Sequence, residues 1–183
     1  MPIDFERLEE IGRELLLAIG QDPNDESIRE TPHRFAKMWR DFIEYKDDNA
    51  DKTFPELRIN QLVVVKDMPV WSMCEHHLLP FQATISAGYI AAGRLLGLSK
   101  IGRIVKLSAH RLQMQERLVN DIADHIEKAT GSLSVAVLAS GTHTCMAMRG
   151  IEMPHKMISS EMRGAFRDEP EARAEFFQVI NHG

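Results

Sequence analysis

Two short clusters, Cys74-Glu75-His76-His77 and His143-Thr144-Cys145, hold both cysteines and three of the eight histidines of this 183-residue chain. If they serve one site, the fold must close a loop of about 70 residues. Thiolate and imidazole are the ligands that tetrahedral zinc prefers. Cys74 and His77 stand at i and i+3, which a helical turn places on one side, and Cys145 offers a second thiolate from a facing strand. Either His76 or His143 as fourth ligand would close a structural site. Water in that position would leave a catalytic one, in which the metal lowers the pKa of water toward ~7. Spacing alone does not decide which histidine binds, or that a metal binds at all.

A net charge of −5 excludes a protein that grips nucleic acid by neutralising phosphates over a broad surface. A local basic pocket for a small anion is still allowed. The start, Met1-Pro2-Ile3-Asp4-Phe5-Glu6, is acidic and has no apolar stretch behind a basic one, so no secretory signal is expected. No apolar run nears the ~18–20 residues that span a bilayer. The expected compartment is the cytoplasm, where two cysteines in separate segments stay reduced and serve as ligands or buried apolar groups.

The pattern predicts two N-terminal helices. Over 3–20, Ile3, Leu8, Ile11, Leu15 and Ile19 recur at three- and four-residue steps. Over about 26–45, Thr31-Pro32 starts a helix whose stripe is Phe35, Met38, Trp39 and Phe42. A polar loop, 46–55, separates this helical region (1–50) from the rest (51–183). Strands are expected at about 57–67, bounded by Asp67-Met68-Pro69, and from Phe81 to Ala92, closed by a Gly93-Arg94 hairpin turn. One long helix is expected from about 103 to 129, with Leu112, Val119, Ile122 and Ile126 as its apolar stripe and Gly131 as its end. Glu116 falls on that stripe. A buried acid needs a partner, either an internal cation or a ligand with N–H donors at the floor of a pocket.

Leu133–Ala139 reads as a strand and Ser140-Gly141 as a turn. His143 to Arg149 reads as a second strand, with His143, Cys145, Ala147 and Arg149 on one face and Thr144, Met146 and Met148 on the other. The chain is then irregular through Ser159-Ser160, and a last helix covers about 170–181. Helices, strands, a long helix, strands and a helix make an α+β order. The simplest architecture is a four-stranded antiparallel sheet with helices on one face. Its uncovered edges predict an oligomer.

Spare groups beside the two clusters favour catalysis over a purely structural metal. Ser99, Lys100, Arg103 and Arg149 would form a cationic pocket if the turn after the first strand pair approaches the 143–149 segment, and Arg suits phosphate oxygens bidentately. Taken alone, Lys100 and Arg103 are an ordinary helix start, and Arg34 and Lys37, three apart, an ordinary solvated edge.

Four blocks in this order and spacing carry a specific resemblance: Cys74-Glu75-His76-His77, Gly97-Leu98-Ser99-Lys100 with Arg103, Gln113-Met114-Gln115-Glu116-Arg117-Leu118, and His143-Thr144-Cys145 running into Met148-Arg149-Gly150. Together they resemble type I GTP cyclohydrolase, from about Ile28 to Phe177. The resemblance implies the tunnelling fold, in which strands of several subunits close a barrel and two rings form a homodecamer with active sites between subunits. It implies one zinc per subunit on Cys74, His77 and Cys145 with water as fourth ligand, and proton transfer by His76 and His143. Glu116, with Gln115 beside it, would bind the guanine edge. Lys100, Arg103 and Arg149, joined by Arg34 and Lys37, would hold the triphosphate, with Ser99 near the ribose. GTP and water would give 7,8-dihydroneopterin triphosphate and formate. The departures, Ala91 after Tyr89-Ile90, Ala83 where glycine is common, and a reduced Ser159-Ser160 stretch, touch none of these residues. Two other classes remain: a silent zinc- and guanine-nucleotide-binding ring protein, and a relative acting on another purine or pterin.

Overall fold

A computed structural model describes residues 2–55 and 60–182. The chain divides into two compact units, 1–46 and 47–183. The first holds two helices, α1 (Phe5–Ala18) and α2 (Thr31–Ile43). Asp4 caps α1, its carboxylate accepting from the Arg7 N–H at 2.9 Å. Pro32 stands in the first turn of α2, where its missing N–H costs nothing. The buried line of α1 is Gly12 and Leu16 rather than the expected Ile11-Leu15-Ile19 stripe, which is exposed. The reason is close approach: a Cβ on Gly12 would lie 3.0 Å from Pro32 Cα, so α2 is seated on the glycine line.

The second unit contains β1 (Thr53–Pro55), β2 (Leu62–Cys74), β3 (Pro80–Ile90), β4 (Arg94–Leu96), α3 (Leu98–Ala109), β5 (Leu112–Gln113), α4 (Gln115–Thr130), β6 (Val135–His143), α5 (Thr144–Ala147), β7 (Met157–Met162), α6 (Ala165–Asp168) and α7 (Pro170–His182). The main sheet has the order β5-β2-β3-β6-β7. Its four long strands β2, β3, β6 and β7 are antiparallel, and β5 adds two residues parallel to the end of β2. β1 and β4 form a separate antiparallel ribbon.

Alternation along β3 sends Phe81, Ala83, Ile85, Ala87 and Tyr89 into one core, with Val135, Val137 and Ala139 of β6 beside them. Ile101, Ile104 and Val105 of α3 and Leu118, Val119, Ile122 and Ile126 of α4 close that face. Tyr89 is buried because its hydroxyl has a partner, accepting from Leu96 N–H at 2.8 Å. Between these residues on β6, Ala136 and Leu138 point the opposite way, where Phe166 of α6 and Phe176 of α7 cover part of the second face.

Several boundaries differ from the sequence expectations. β2 runs on through Asp67-Met68-Pro69, because a bulge between Val65 and Met68 absorbs the irregularity, with Asp67 at φ +58°. The early part of the expected strand, 56–59, lies outside the described residues. Gly93 does turn the chain, but the strand beyond it, β4, pairs with β1 and not with β3. The expected 103–129 helix is two helices interrupted by β5, so Leu112 belongs to neither stripe and is exposed. β6 continues straight through Ser140-Gly141, and the expected strand 143–149 is mostly the short helix α5. β7, within the stretch expected to be irregular, is the fourth antiparallel strand.

Candidate metal and substrate site

Cys74 is the last residue of β2. Its backbone N–H donates to Leu79 O and its carbonyl accepts from Leu78 N–H, which closes the tight connection to β3 that carries Glu75, His76 and His77. A single turn, closed by that i+4 to i bond, therefore brings the i and i+3 side chains together, as the spacing predicts. The Cys74 Sγ to His77 Nδ1 separation is 3.6 Å. Cys145 arrives from α5, which is held beside the start of β3 by the Thr144 hydroxyl donating to Pro80 O at 2.5 Å. The ligand atoms of Cys74, His77 and Cys145 all lie within 4.8 Å of one another.

The donor set fits zinc. Two thiolates and an imidazole are soft and borderline ligands, and tetrahedral zinc with bonds of ~2.3 Å to S and ~2.05 Å to N has an S···N edge of roughly 3.6 Å. Burial, with Cys74 close by, pushes the Cys145 thiol above its usual range, opposed by Arg149. Two thiols crowded in this way gain most from a cation, which deprotonates them. Three protein ligands leave the fourth position open, and His76 and His143 are not among the clustered atoms.

His143, at the end of β6, is half-buried and stacks on Phe81 at 4.5 Å between centroids and 7° between planes. Its Nε2 lies 3.0 Å from Gln115 Oε1. Burial keeps its pKa below the usual imidazole value, aided by His155 and opposed by the Glu116 carboxylate. His155, whose ring lies 5.9 Å from that of His143, was not singled out from the sequence, because it stands alone in an irregular stretch. His76 is exposed, with Nε2 3.9 Å from Glu75 Oε1. Glu75 makes a two-pronged pair with Arg117 at 2.6 and 2.9 Å, and those hydrogen bonds lower its pKa.

Glu116 is exposed in the first turn of α4, not buried on a stripe. With the helix beginning at Gln115, the inward line is Gln115, Leu118, Val119 and Ile122, and Glu116 stands one step off it. Gln115 itself is fully buried. Ser99 and Lys100 lie in the first turn of α3, which has no side-chain cap, so its free N–H groups add to an anion-attracting end. Arg103, one turn on, pairs with Asp47 at 2.7 Å. Arg149 is exposed just beyond α5. Arg34 and Lys37 lie on α2 in the first unit, both exposed, with Lys37 paired to Asp41. A cavity of about 430 Å³ lined by Asp47, Arg94, Ile104 and His125 contains none of the expected site residues.

Within one chain the arrangement therefore brings together three residues able to hold a metal and an imidazole held by an amide, with the Glu116 carboxylate close enough to act on that imidazole. The start of α3 is not part of it, since the other end of that helix meets β2 through Ser72 and Ala109. Residues 8–181 match the family described as GTP cyclohydrolase I. A Caldanaerobacter subterraneus subsp. tengcongensis protein named GTP cyclohydrolase 1 is 45% identical, covering 98% of each chain. Another of that name, from Rhodopirellula baltica, is 42% identical over 98% of this chain and 80% of its own. Among solved structures, the apo archaeosine synthase QueF-Like is 19% identical with a TM-score of 0.44, covering 55% of this chain and 92% of its own.

Proposed function

The chain belongs to the GTP cyclohydrolase I family, and on that premise we propose how its residues turn GTP and water into 7,8-dihydroneopterin triphosphate and formate. The fold is the tunnelling fold of that family. Two waters enter, one to open the imidazole ring at C8 and one to release formate. One water leaves when the rearranged ribose closes the new ring.

The observation that carries the reading is the meeting of Cys74, His77 and Cys145, with Cys145 two residues beyond His143 in the chain. We take the metal to be zinc, one per subunit, which would supply Lewis acidity and a water of lowered pKa. His143 takes up a proton and delivers it as imidazolium to the purine nitrogen next to C8, returning to the neutral form that burial favours. His76, exposed and next to the ligand His77, serves the second proton transfer. Glu116 accepts from the N–H groups of the guanine edge. Lys100, Arg103 and Arg149 hold the triphosphate, and Ser99 lies near the ribose. Fixing both ends of GTP places C8 against the metal, and such positioning supplies much of the rate.

Residues 51–183 carry this chemistry, and the subunits assemble into rings, two of which form a decamer. The support within one chain is incomplete coverage: Ile158 on β7 and Trp71 on β2 are large apolar side chains left exposed. No helix among the described residues is long and apolar enough to cross a membrane, and we place the enzyme in the cytoplasm.

The test is incubation of zinc-replete protein with GTP, read as formate and as the fluorescence of oxidised neopterin. Both are expected; absence of both sinks the assignment. Cys145→Ala should lose zinc by elemental analysis. His143→Ala should keep zinc and lose the rate. Zinc loss in both variants would make the site closed and structural.

A further inference from the structure

We propose that Gln115 is a positioning residue for His143, locking its imidazole in the Nε2–H tautomer so that Nδ1 is the nitrogen that works on substrate. This rests on the reading of His143 as the proton-transfer group, and it gives Gln115 a different task from the guanine contact expected from the sequence.

The Gln115 amide has one allowed orientation. Gln115 is 0% exposed, and its Nε2 has three acceptors around it: Ala139 O at 3.3 Å, Met157 O at 2.9 Å and Ser159 Oγ at 3.1 Å. Two amide hydrogens are thereby committed to β6 and β7. Flipping the amide would set its oxygen against two backbone carbonyls, lone pair to lone pair. The orientation is therefore fixed, and Oε1 must face the other way, toward His143 Nε2 at 3.0 Å. An amide oxygen can only accept, so Nε2 carries the hydrogen. In a neutral imidazole the other nitrogen is then the acceptor. His143 Nδ1 has no hydrogen-bond partner among the described residues, and the Phe81 stack fixes the plane of the ring.

The neighbouring strand makes room for this amide. A Cβ on Gly141 would lie 2.1 Å from Gln115 Oε1 and 3.1 Å from its Cδ. Gly141 sits in the middle of a paired strand, opposite Ala83 and Met157, where glycine has no turn to make. Its absent side chain is the space the amide oxygen occupies. Since Gln115 is pinned by its three acceptors, an added methyl group must displace the Oε1–Nε2 contact.

With both hydrogens of its amide committed inside the subunit, the Gln115 side chain has no donor left for a base. The two roles separate in kinetics. Gln115→Met keeps length and removes the lock; Gly141→Ala disturbs the lock through the Gln115 amide oxygen, the atom nearest to the added methyl group. Both should lower kcat on the order of 10- to 100-fold, with KM for GTP within about threefold and zinc content unchanged. A guanine contact would instead raise KM in Gln115→Met and relax discrimination between GTP and ITP, with Gly141→Ala near wild type; that result overturns the proposal. Unchanged kcat in either folded variant also overturns it. Should both variants fail to fold, nitrogen-15 NMR of the wild-type histidines at pH 8 decides. A protonated Nε2 and bare Nδ1 on His143, assigned by its loss in His143→Asn, is expected, and the reverse tautomer overturns the lock. A wild-type protein that releases no formate would overturn the functional reading itself, a separate outcome visible before any variant is made.

Discussion

Glu116 is the residue whose environment changed most between sequence and structure. Spacing from Leu112 and Val119 set it on a buried stripe, but the helix starts at Gln115, and Leu112 belongs to a two-residue strand. An exposed carboxylate at a helix start, close enough to influence His143, is free to accept from the N–H edge of a purine. Glu116→Gln should raise KM for GTP roughly 30- to 100-fold, since one charge-assisted pair is lost and a donor faces a donor. Steady-state formate release against GTP concentration measures this. Glu75, which the sequence left without a task, is tied to Arg117 and so braces the turn between Cys74 and His77 against α4. Glu75→Ala should weaken metal affinity by about tenfold, read by chelator competition, with little change in kcat at saturating zinc. The ligands themselves were readable as types: Cys and His in two clusters admit few other uses. Which histidine joins them was not, because that depends on where Cys145 arrives from α5, about 70 residues further on.

Elements with strong periodicity were readable, and those defined by a neighbour were not. The amphipathic runs of α1, α2 and α4 and the alternation of β3 are properties of the segment itself. β7 is a strand because β6 pairs with it from Ala136 to Gly141, and nothing in Met157-Ile158-Ser159-Ser160 insists on that pairing. Gly141 reads as a turn residue because glycine usually punctuates; in the fold it yields space to a side chain from another element. Gly131 is the contrasting case. It ends α4 at φ +73°, with its N–H donating to Glu127 O, and a Cβ there would touch nothing within 4 Å. Gly131→Ala should therefore cost about 1 kcal/mol from backbone strain alone. The thermal midpoint should fall by roughly 2–4 °C, with kcat unaltered.

At the scale of the molecule, the chain leaves large apolar side chains in water. Ile158 is 67% exposed on β7, and Trp71 is 54% exposed on β2. Ile158→Asp should shift the protein to smaller species in sedimentation velocity, with the helical far-ultraviolet signal kept. The sequence pointed to an oligomer through the edges of its expected sheet, but the strand at that edge, β7, could be located only once the sheet was assembled. β7 has a second duty. Its Met157 carbonyl and Ser159 hydroxyl are two of the three groups that hold the Gln115 amide, and that amide holds His143. An edge strand in a lone subunit frays, because half its backbone bonds with water. Fraying would release the amide and let the imidazole rotate while Cys74, His77 and Cys145 stay where they are. If the chain assembles through β7, dilution should therefore silence turnover before it releases zinc, read as formate release and bound zinc across a dilution series.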